Sequence, residues 1–358
     1  MLFDREPITS KVRYLLENVK NNFDQVLESN ITPRDIRKLS LYTDAFYVVS
    51  SALEVGLFQG LTEPKSPLEL ANTLGLNPVV TEKLCKALAS LGYLDRDDKS
   101  YYLSDLARTF LVESSPFYQG NLMKLMKKTR EQRWSCLVTA LKNGPVSVQS
   151  GPQVFDELFS LAMAEAAIGG SLQKTIRLLR DLPEFYKARR CLDLGGGHGL
   201  YALAFSKLHP ELEVVVFDLP HVINSVTNKV VSDSDKIIMK SGDFNRDDLG
   251  KDYDLVFASD VLYREETSIL HLLGRIRDCL NQEGLLICKH YHIDNPSADS
   301  SAVLFDLMFS ISGNGGTVYS SANFCNLLES SGFSVVRIED ISSPVSPSKI
   351  IIARKVRE

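Results

Sequence analysis

Residues 193–199 have the sequence DLGGGHG, in which an acid is followed by glycines at alternating positions. Glycine is needed where a backbone turns tightly and must approach a ligand closely. The segment fits D-x-G-x-G-x-G through Asp193, Gly195, Gly197 and Gly199, which is typical of a strand-to-helix turn that holds a nucleotide-like ligand. Residues 197–202 also fit G-x-G-x-x-A, the dinucleotide fingerprint, so the glycines alone do not select the ligand.

Acidic and aromatic residues follow the next predicted strands at the distances that such a ligand requires. Asp218 ends the second strand about 20 residues after the glycines, where its carboxylate can bind both hydroxyls of a ribose. Asp243 and Phe244 follow the third strand, where an acid can accept from an adenine amino group and a ring can stack on the base. Ser259 and Asp260 end the fourth, at the carboxyl edge where open α/β sheets bind ligands. With Asp193, these residues favour S-adenosylmethionine (SAM) over NAD, which remains the alternative.

The elements that must position these residues begin at Arg190, where short β-rich runs alternate with amphipathic helices. The predicted strands are 191–194, 213–217, 237–240, 255–258, 285–289, 333–338 and 349–353. Such alternation predicts a parallel sheet covered on both faces. The last two strands are joined by a loop with two prolines and no helix, so we expect them to pair antiparallel.

The first half of the chain is predicted to be mainly helical, with one small hairpin. Ser66 and Asn77 each precede a proline and can cap the start of a helix, and residues 93–103 form two apolar strands around a polar turn. Helix, turn, helix and hairpin is the order of a winged helix, which usually binds DNA. Lys83 and Lys86 suit that role, but the hairpin tip carries acids that would repel phosphate: Asp95, Asp97 and Asp98.

Length and composition narrow the classes of protein. A chain of 358 residues suggests two domains, and we divide it into an N-terminal helical and winged-helix domain at 1–110, a helical connector at 111–185 and a ligand-binding domain at 186–358. A net charge of -5 argues against a broad nucleic-acid surface. The six cysteines are scattered, the start lacks a signal peptide and no apolar run is long enough to span a bilayer, so we expect a soluble cytoplasmic protein.

At these positions the chain resembles the SAM-dependent O-methyltransferases, which include plant caffeic acid and isoflavone enzymes, hydroxyindole O-methyltransferase and bacterial antibiotic methyltransferases. The resemblance runs from about Asp44 to the end, through ALEVGLF at 52–58, FDLPHVI at 217–223 and NLLESSGF at 326–333. The run Asp218-Leu219-Pro220 is specific to this family within the wider SAM-binding fold.

Membership of this family implies a class I Rossmann-like domain with seven strands, preceded by a winged-helix dimerisation domain. It also implies an intertwined homodimer, a substrate pocket between the domains, and SAM binding that includes Leu219. Phe159 and Met163 match the family's F-x-x-A-M helix, whose methionine touches the substrate. A core methionine is an equally good interpretation of Met163.

The family's catalytic positions are changed in this chain. The general-base histidine of the L-H-D-W-x-D-E run aligns with Tyr263, the glutamate that orients it aligns with Lys289, and the glutamate of G-G-x-E-R-T aligns with Val318. A tyrosine near its reference pKa of about 10 is a poor base unless a cation lowers that pKa. Because the ends of strands four and five are neighbours, we predict that Lys289 is such a cation.

Tyr263 is therefore predicted to be a hydrogen-bond partner or base for an acceptor unlike a simple phenol, or else a residue of the pocket wall. His290, Tyr291 and His292 are predicted to line the pocket with Lys289. His290 and His292 share one face of the strand, as two metal ligands would, but no third ligand has suitable spacing, so we expect no metal.

The sequence thus predicts a methyltransferase that transfers a methyl group from SAM to oxygen or carbon of a small molecule, without a nucleic-acid or membrane partner. Two alternatives remain. A catalytically silent SAM-binding or regulatory protein would also lack the His-Glu-Glu group. A methyltransferase that acts on a protein side chain or a macrocycle would share the same fold.

Overall fold

The computed structural model describes residues 17–28, 33–146, 154–232, 234–313, 315–343 and 346–357. The start of the chain, used above to argue against a signal peptide, and two residues of the loop between the last two strands lie outside these ranges. The chain forms two compact units, residues 1–49 and 50–358. The predicted division at 110/111 and 185/186 stays a prediction.

The helices, in chain order, are α1 Phe23–Glu28, α2 Arg34–Glu54, α3 Leu57–Gly60, α4 Pro67–Leu74, α5 Pro78–Ser90, α6 Asp105–Phe110, α7 Gly120–Gln132, α8 Leu137–Asn143, α9 Glu157–Ala166, α10 Leu172–Arg180, α11 Pro183–Lys187, α12 Leu200–Leu208, α13 Pro220–Val222, α14 Asn228–Val231, α15 Glu266–Cys279, α16 Ser300–Ser312 and α17 Ser321–Ser330. A 3-10 turn, Trp134–Cys136, precedes α8, and π-helical turns at Ala167–Ser171 and Ile223–Thr227 follow α9 and α13. The strands are β1 Leu94–Arg96, β2 Tyr101–Leu103, β3 Arg190–Leu194, β4 Glu213–Asp218, β5 Ile237–Ser241, β6 Tyr253–Ser259, β7 Leu280–Tyr291, β8 Phe333–Asp340 and β9 Ser348–Lys355.

The smaller unit contributes α1 and the first part of α2 to the described residues. The beginning of α2 leaves large apolar side chains in solvent; Ile36, for example, is 72% exposed, and Leu39, Leu41 and Tyr42 are exposed as well. Such a row of apolar side chains is typical of a surface that another chain covers.

The predicted order of helix, turn, helix and hairpin is confirmed. Ser66 accepts a hydrogen bond from the Glu69 N–H while Glu69 bonds back to Ser66, which is a capping box, and Pro67 occupies the first position of α4. The Asn77 side chain accepts from two backbone N–H groups at the start of α5. β1 and β2 then pair antiparallel.

The large sheet has the order β5-β4-β3-β6-β7-β9-β8. The first five strands in this order are parallel, and β9 is antiparallel to both β7 and β8, as predicted. β7 is longer at both ends than the predicted 285–289, because its start pairs again with β6 at Tyr253 after a register shift. After β5 the chain crosses back over β4 and β3 to β6, which places the carboxyl ends of β3 and β6 side by side, where such sheets bind ligands.

Helices cover both faces of this sheet, which explains the continuous apolar runs of its central strands. Cys191 on β3 and Val214 on β4 pack on the face covered by α10, α11 and α12. Their neighbours Leu192 and Val215 point the other way and pack against α15 and α17. The core therefore holds the strand ends of both central strands rigidly from two sides.

Candidate active site

The glycine segment forms the turn from β3 into α12, as predicted. Gly195 has a φ of 66° and donates its N–H to the Phe217 carbonyl at 2.8 Å. A Cβ added at Gly195 would lie 2.5 Å from Cγ1 of Val261. The segment thus passes so close to the residues after β6 that only glycine fits at this position.

Asp193 ends β3 as a buried acid. Its carboxyl lies beside Gly196, and Oδ2 has no hydrogen-bond partner among the described residues. Burial raises the pKa of Asp193 to about 7, and the neighbouring Asp218 acts in the same direction. The Asp193 carboxyl thus lies directly against the backbone of the glycine segment.

The raised pKa predicts how Asp193→Asn changes stability. An acid with a folded-state pKa above the unfolded value of 3.8 loses its proton first in the unfolded state, so its contribution to stability falls as pH rises from about 4 to 7. Asparagine has no such titration, and we expect the variant to have a Tm about 3 °C or more above wild type at pH values above about 7. The difference should shrink toward about pH 4. Thermal unfolding in the absence of ligand measures this, and Asp235→Asn on an exposed loop is the control. An Asp193→Asn variant less stable than wild type above pH 7 contradicts the prediction.

Asp218 joins the end of β4 to the glycine segment. Its Oδ2 accepts the Gly197 N–H at 2.8 Å, and its Oδ1 accepts the Leu219 N–H at 2.7 Å. Burial raises the pKa of Asp218, while these two backbone hydrogen bonds oppose the shift. The carboxylate is fixed in orientation, and each oxygen retains a lone pair that a ligand hydroxyl can use.

Asp243 and Phe244 follow β5 near the same segment. Asp243 Oδ1 accepts hydrogen bonds from the backbone and side-chain nitrogens of Asn245, at 3.0 and 2.7 Å. The guanidinium of Arg264 lies 5.1 Å from the centroid of the Phe244 ring, a cation–π geometry. Arg264 is a neighbour that the sequence analysis did not predict, because nothing in its spacing relates it to Phe244.

A group of polar side chains, which we call the strand-end cluster, lies where β6 and β7 end. Its members are Ser259, Asp260, Tyr263, Lys289 and Tyr291. Ser259 pairs with Lys289 across the two strands, and the Asp260 N–H donates to the Lys289 carbonyl at 2.8 Å. The predicted proximity of the two strand ends is therefore confirmed.

Asp260 is the centre of the strand-end cluster, although the sequence analysis placed it only at the end of a strand and assigned it no role. Its Oδ1 accepts the hydroxyl of Tyr263 at 2.7 Å, and its Oδ2 accepts the hydroxyl of Ser259 at 3.1 Å and the ammonium of Lys289. The Tyr263 oxygen in turn accepts the Tyr291 N–H at 2.7 Å. The only sequence signal was a polar residue directly after a strand.

This geometry corrects the prediction that Lys289 lowers the pKa of Tyr263. Burial raises the pKa of Tyr263 well above its usual value, and the Asp260 carboxylate raises it further. Lys289 instead pairs with Asp260, which outweighs burial and holds the pKa of Lys289 above its usual value. Tyr263 is therefore a protonated donor, and the assigned role as a base is not supported.

The two histidines beyond Lys289 are buried, each 2% exposed. His290 Nε2 accepts the Leu262 N–H at 3.1 Å, and burial lowers the pKa of His290 to about 3, so this ring is neutral. His292 Nδ1 lies 3.2 Å from the Tyr319 carbonyl, and both rings pack on Phe324. So little exposed surface does not support the predicted contact with a substrate.

The F-x-x-A-M residues and Val318 lie in other elements of the chain. Phe159 and Met163 lie one turn apart on α9, both partly exposed, and whether they touch a substrate stays a prediction. Val318 is buried and donates its N–H to Asp306 at 2.8 Å. Across the part of the chain that the structure describes, no three His, Cys, Asp or Glu side chains are grouped to hold a metal.

The sequence is similar to those of known proteins. A family model described as an O-methyltransferase domain matches residues 147–334, and a model described as an O-methyltransferase dimerisation domain matches residues 42–113. An uncharacterized protein of Methanocaldococcus jannaschii is 30% identical over 273 residues, which cover 74% of this chain and 72% of that protein. The tetracenomycin polyketide synthesis 8-O-methyl transferase TcmO of Streptomyces glaucescens is 27% identical over 343 residues, covering 91% and 97%.

Solved structures share the fold. Human N-acetylserotonin methyltransferase in complex with SAM superposes with a TM-score of 0.77 at 24% identity, covering 92% of this chain and 100% of that chain. PigF with SAH gives a TM-score of 0.78 at 23% identity, covering 91% and 100%. The predicted fold class, a seven-stranded Rossmann-like sheet preceded by a mainly helical domain, is thus confirmed.

Proposed function

Because the chain belongs to the SAM-dependent O-methyltransferase family and uses SAM, we propose that it methylates an oxygen atom of a small molecule and that it does so as a homodimer. The observation that carries the proposal is the Asp218 carboxylate. It is fixed by the N–H groups of Gly197 and Leu219, beside a glycine turn that leaves no room for a side chain at Gly195.

SAM supplies a methyl group on a positively charged sulfur, and the chain must hold an acceptor atom in line with it. Asp193, Gly195, Gly197, Gly199, Asp218, Leu219, Asp243, Phe244 and Ser259 are the residues proposed to bind SAM. Asp218 would accept hydrogen bonds from the ribose hydroxyls with its free lone pairs, and Phe244 would stack on the base. Arg264, whose guanidinium lies over the Phe244 ring, would then lie close to the base as well.

The homodimer is supported by the dimerisation domain at residues 42–113 and by the exposed apolar side chains at the start of α2.

A small-molecule acceptor is favoured over nucleic acid because the β1–β2 hairpin carries Asp95, Asp97 and Asp98. Within the described residues, no helix has both the length and the apolar character needed to cross a membrane. A cytoplasmic location is part of the proposal, supported by cysteines that are free, among them the buried Cys191 and Cys288.

The experiment that tests the proposal uses the full chain. Titration calorimetry measures SAM binding, and release of S-adenosylhomocysteine is then followed with labelled SAM and a panel of hydroxylated small molecules. Label in the organic extract supports methylation of a small molecule. Label in precipitated protein contradicts it, and tight SAM binding without release from any compound favours a silent relative.

Tyr263→Phe tests whether the phenol takes part in turnover. The variant keeps the ring, which packs on Phe305 and Phe309, but loses the hydroxyl that donates to Asp260 and accepts from Tyr291. We expect kcat to fall about tenfold, as for loss of one hydrogen bond to a charged group, with SAM affinity unchanged.

The matched control for this prediction is Tyr186→Phe, since Tyr186 is exposed on α11. Equal turnover by wild type and Tyr263→Phe would show that Tyr263 is only a residue of the pocket wall.

A further inference from the structure

We propose that Asp260 takes the proton from the acceptor hydroxyl, that Tyr263 and Lys289 are its positioning residues, and that the acceptor is a hydroxyl more acidic than that of a simple phenol. This inference rests on the proposed function, because it concerns the proton that leaves during methyl transfer. It gives a role to a residue at the position where β6 ends and the loop toward α15 begins.

The hydrogen bonds around Asp260 leave one position for a ligand. A carboxylate oxygen has two lone pairs. Oδ2 uses both, on the Lys289 ammonium and the Ser259 hydroxyl, whereas Oδ1 uses one on the Tyr263 hydroxyl. Oδ1 is therefore the atom that can accept a further proton donor.

Asp260 differs from its neighbours in how much of its side chain is exposed to solvent. The Asp260 side chain is 39% exposed, whereas the Lys289 side chain is only 6% exposed. His290 is buried as well. Of the charged groups in the strand-end cluster, Asp260 is the one that a ligand can reach.

The backbone of Asp260 is strained into this position. Its φ is 58°, in the left-handed region that a residue other than glycine rarely occupies. Such conformations are energetically costly, and they concentrate at active sites and ligand clamps. The turn directs the side chain toward Tyr263 and Lys289 instead of along the strand.

The proposed step balances as follows. The O–H bond of the acceptor breaks and its proton passes to Asp260 Oδ1. The electron pair of the oxygen forms the bond to the methyl carbon, while the carbon–sulfur bond breaks and leaves its pair on a neutral thioether. Asp260 then releases the proton to solvent, and Lys289 and Tyr263 hold it ionised for the next turnover.

The charges around Asp260 determine how acidic an acceptor hydroxyl must be for Asp260 to take its proton. Desolvation acts to raise the pKa of Asp260, but the Lys289 ammonium and the Tyr263 hydroxyl help to outweigh it and hold the pKa below its usual range. So weak a base removes a proton efficiently only from an acidic group, because proton transfer works best between groups of similar pKa. Hydroxyquinones, nitrophenols and enols between two carbonyls have such hydroxyls, and simple phenols do not.

The test compares matched acceptors and two variants of the full chain. Hydroxynaphthoquinone is paired with naphthol and nitrocatechol with catechol, and kcat/KM is measured for each by S-adenosylhomocysteine release. We expect the acidic member of each pair to react at least about tenfold faster. Asp260→Asn should lower kcat/KM for nitrocatechol by roughly 100-fold or more below the pKa of that compound, the usual contribution of a general base.

Raising the pH above the pKa of nitrocatechol removes its proton in solution, so the deficit of Asp260→Asn should largely disappear there. A merely structural role would leave the deficit constant with pH. Asp278→Asn, an exposed acid at the end of α15, is the control and should match wild type.

Faster reaction of naphthol or catechol, an Asp260→Asn variant as active as wild type, or a deficit that persists at high pH would overturn the inference. So would intact SAM binding with no methylation in either pair. Failure of the wild-type chain to bind SAM would instead contradict the proposed function, and this inference would fall with it.

Discussion

Replacement of Asp218 by alanine is expected to weaken SAM binding by about 100-fold or more. A hydrogen bond to a charged group contributes about 1.5–3 kcal/mol, and the carboxylate is placed to accept two from a ribose. The substitution also leaves the N–H groups of Gly197 and Leu219 without their present acceptor, so the glycine turn loses its fixed orientation. Titration calorimetry with SAM at constant pH measures the effect.

The matched control for this prediction is Glu211→Ala, because Glu211 is exposed on the loop before the same strand. SAM affinity of the control should equal that of wild type. An Asp218→Ala variant that binds SAM within a factor of about three of wild type would be incompatible with the proposed SAM site, since that ratio is below 1 kcal/mol.

Gly195→Ala is expected both to lower stability and to abolish measurable SAM binding. An alanine at a φ of 66° is strained, and its Cβ would lie 2.5 Å from Cγ1 of Val261, closer than carbon atoms can approach. We expect a loss of about 2–4 kcal/mol in the free energy of unfolding, from strain and overpacking combined. The displaced turn would also move the backbone that faces the ligand.

Gly274→Ala provides the control for this substitution. Gly274 lies within α15, and an added Cβ would have no atom within 4 Å. Alanine is the better helix former by about 0.5–1 kcal/mol, so this variant should be slightly more stable than wild type and bind SAM normally. If chemical denaturation gave both variants the same stability, the argument from close approach at Gly195 would be wrong.

The sequence predicted the sheet well because each of its rules acts locally. Short apolar runs between amphipathic stretches indicate strands, and all seven predicted strands are present in the sheet. The positions of Gly195 and Asp218 follow from the same rules, since a glycine turn and a terminal acid are tied to strand ends. The ends of β7 were less predictable because pairing with β6 and β9 set them.

The strand-end cluster was only partly predictable. Strand order implied that Tyr263 and Lys289 would be near each other, which the structure confirms. No pattern in the sequence indicated that Asp260 would turn through a positive φ and take the position between them. A cation lowers the pKa of a tyrosine only if no carboxylate lies between the two groups. Tertiary geometry decides this, and a local sequence pattern does not reveal it.

The same limit applies to His290 and His292. Alternation along a strand correctly placed both on one side, where they pack on Phe324. Their burial depends on α17 covering that side, which a local pattern does not reveal. Their position after Lys289 led to the prediction that they line a pocket, and the structure shows contacts of their ring nitrogens with backbone groups.

The position of β9 has a consequence for how the chain matures during synthesis. β9 follows every other strand in the sequence yet lies between β7 and β8, and its Ser348 hydroxyl donates to the His290 carbonyl. While a ribosome is still making Ser348–Lys355, one edge of β7 has no neighbour and offers open backbone groups to any other extended chain. A nascent polypeptide paused at that stage would be open to aggregation through this edge, and a chaperone that shields strand edges would protect it.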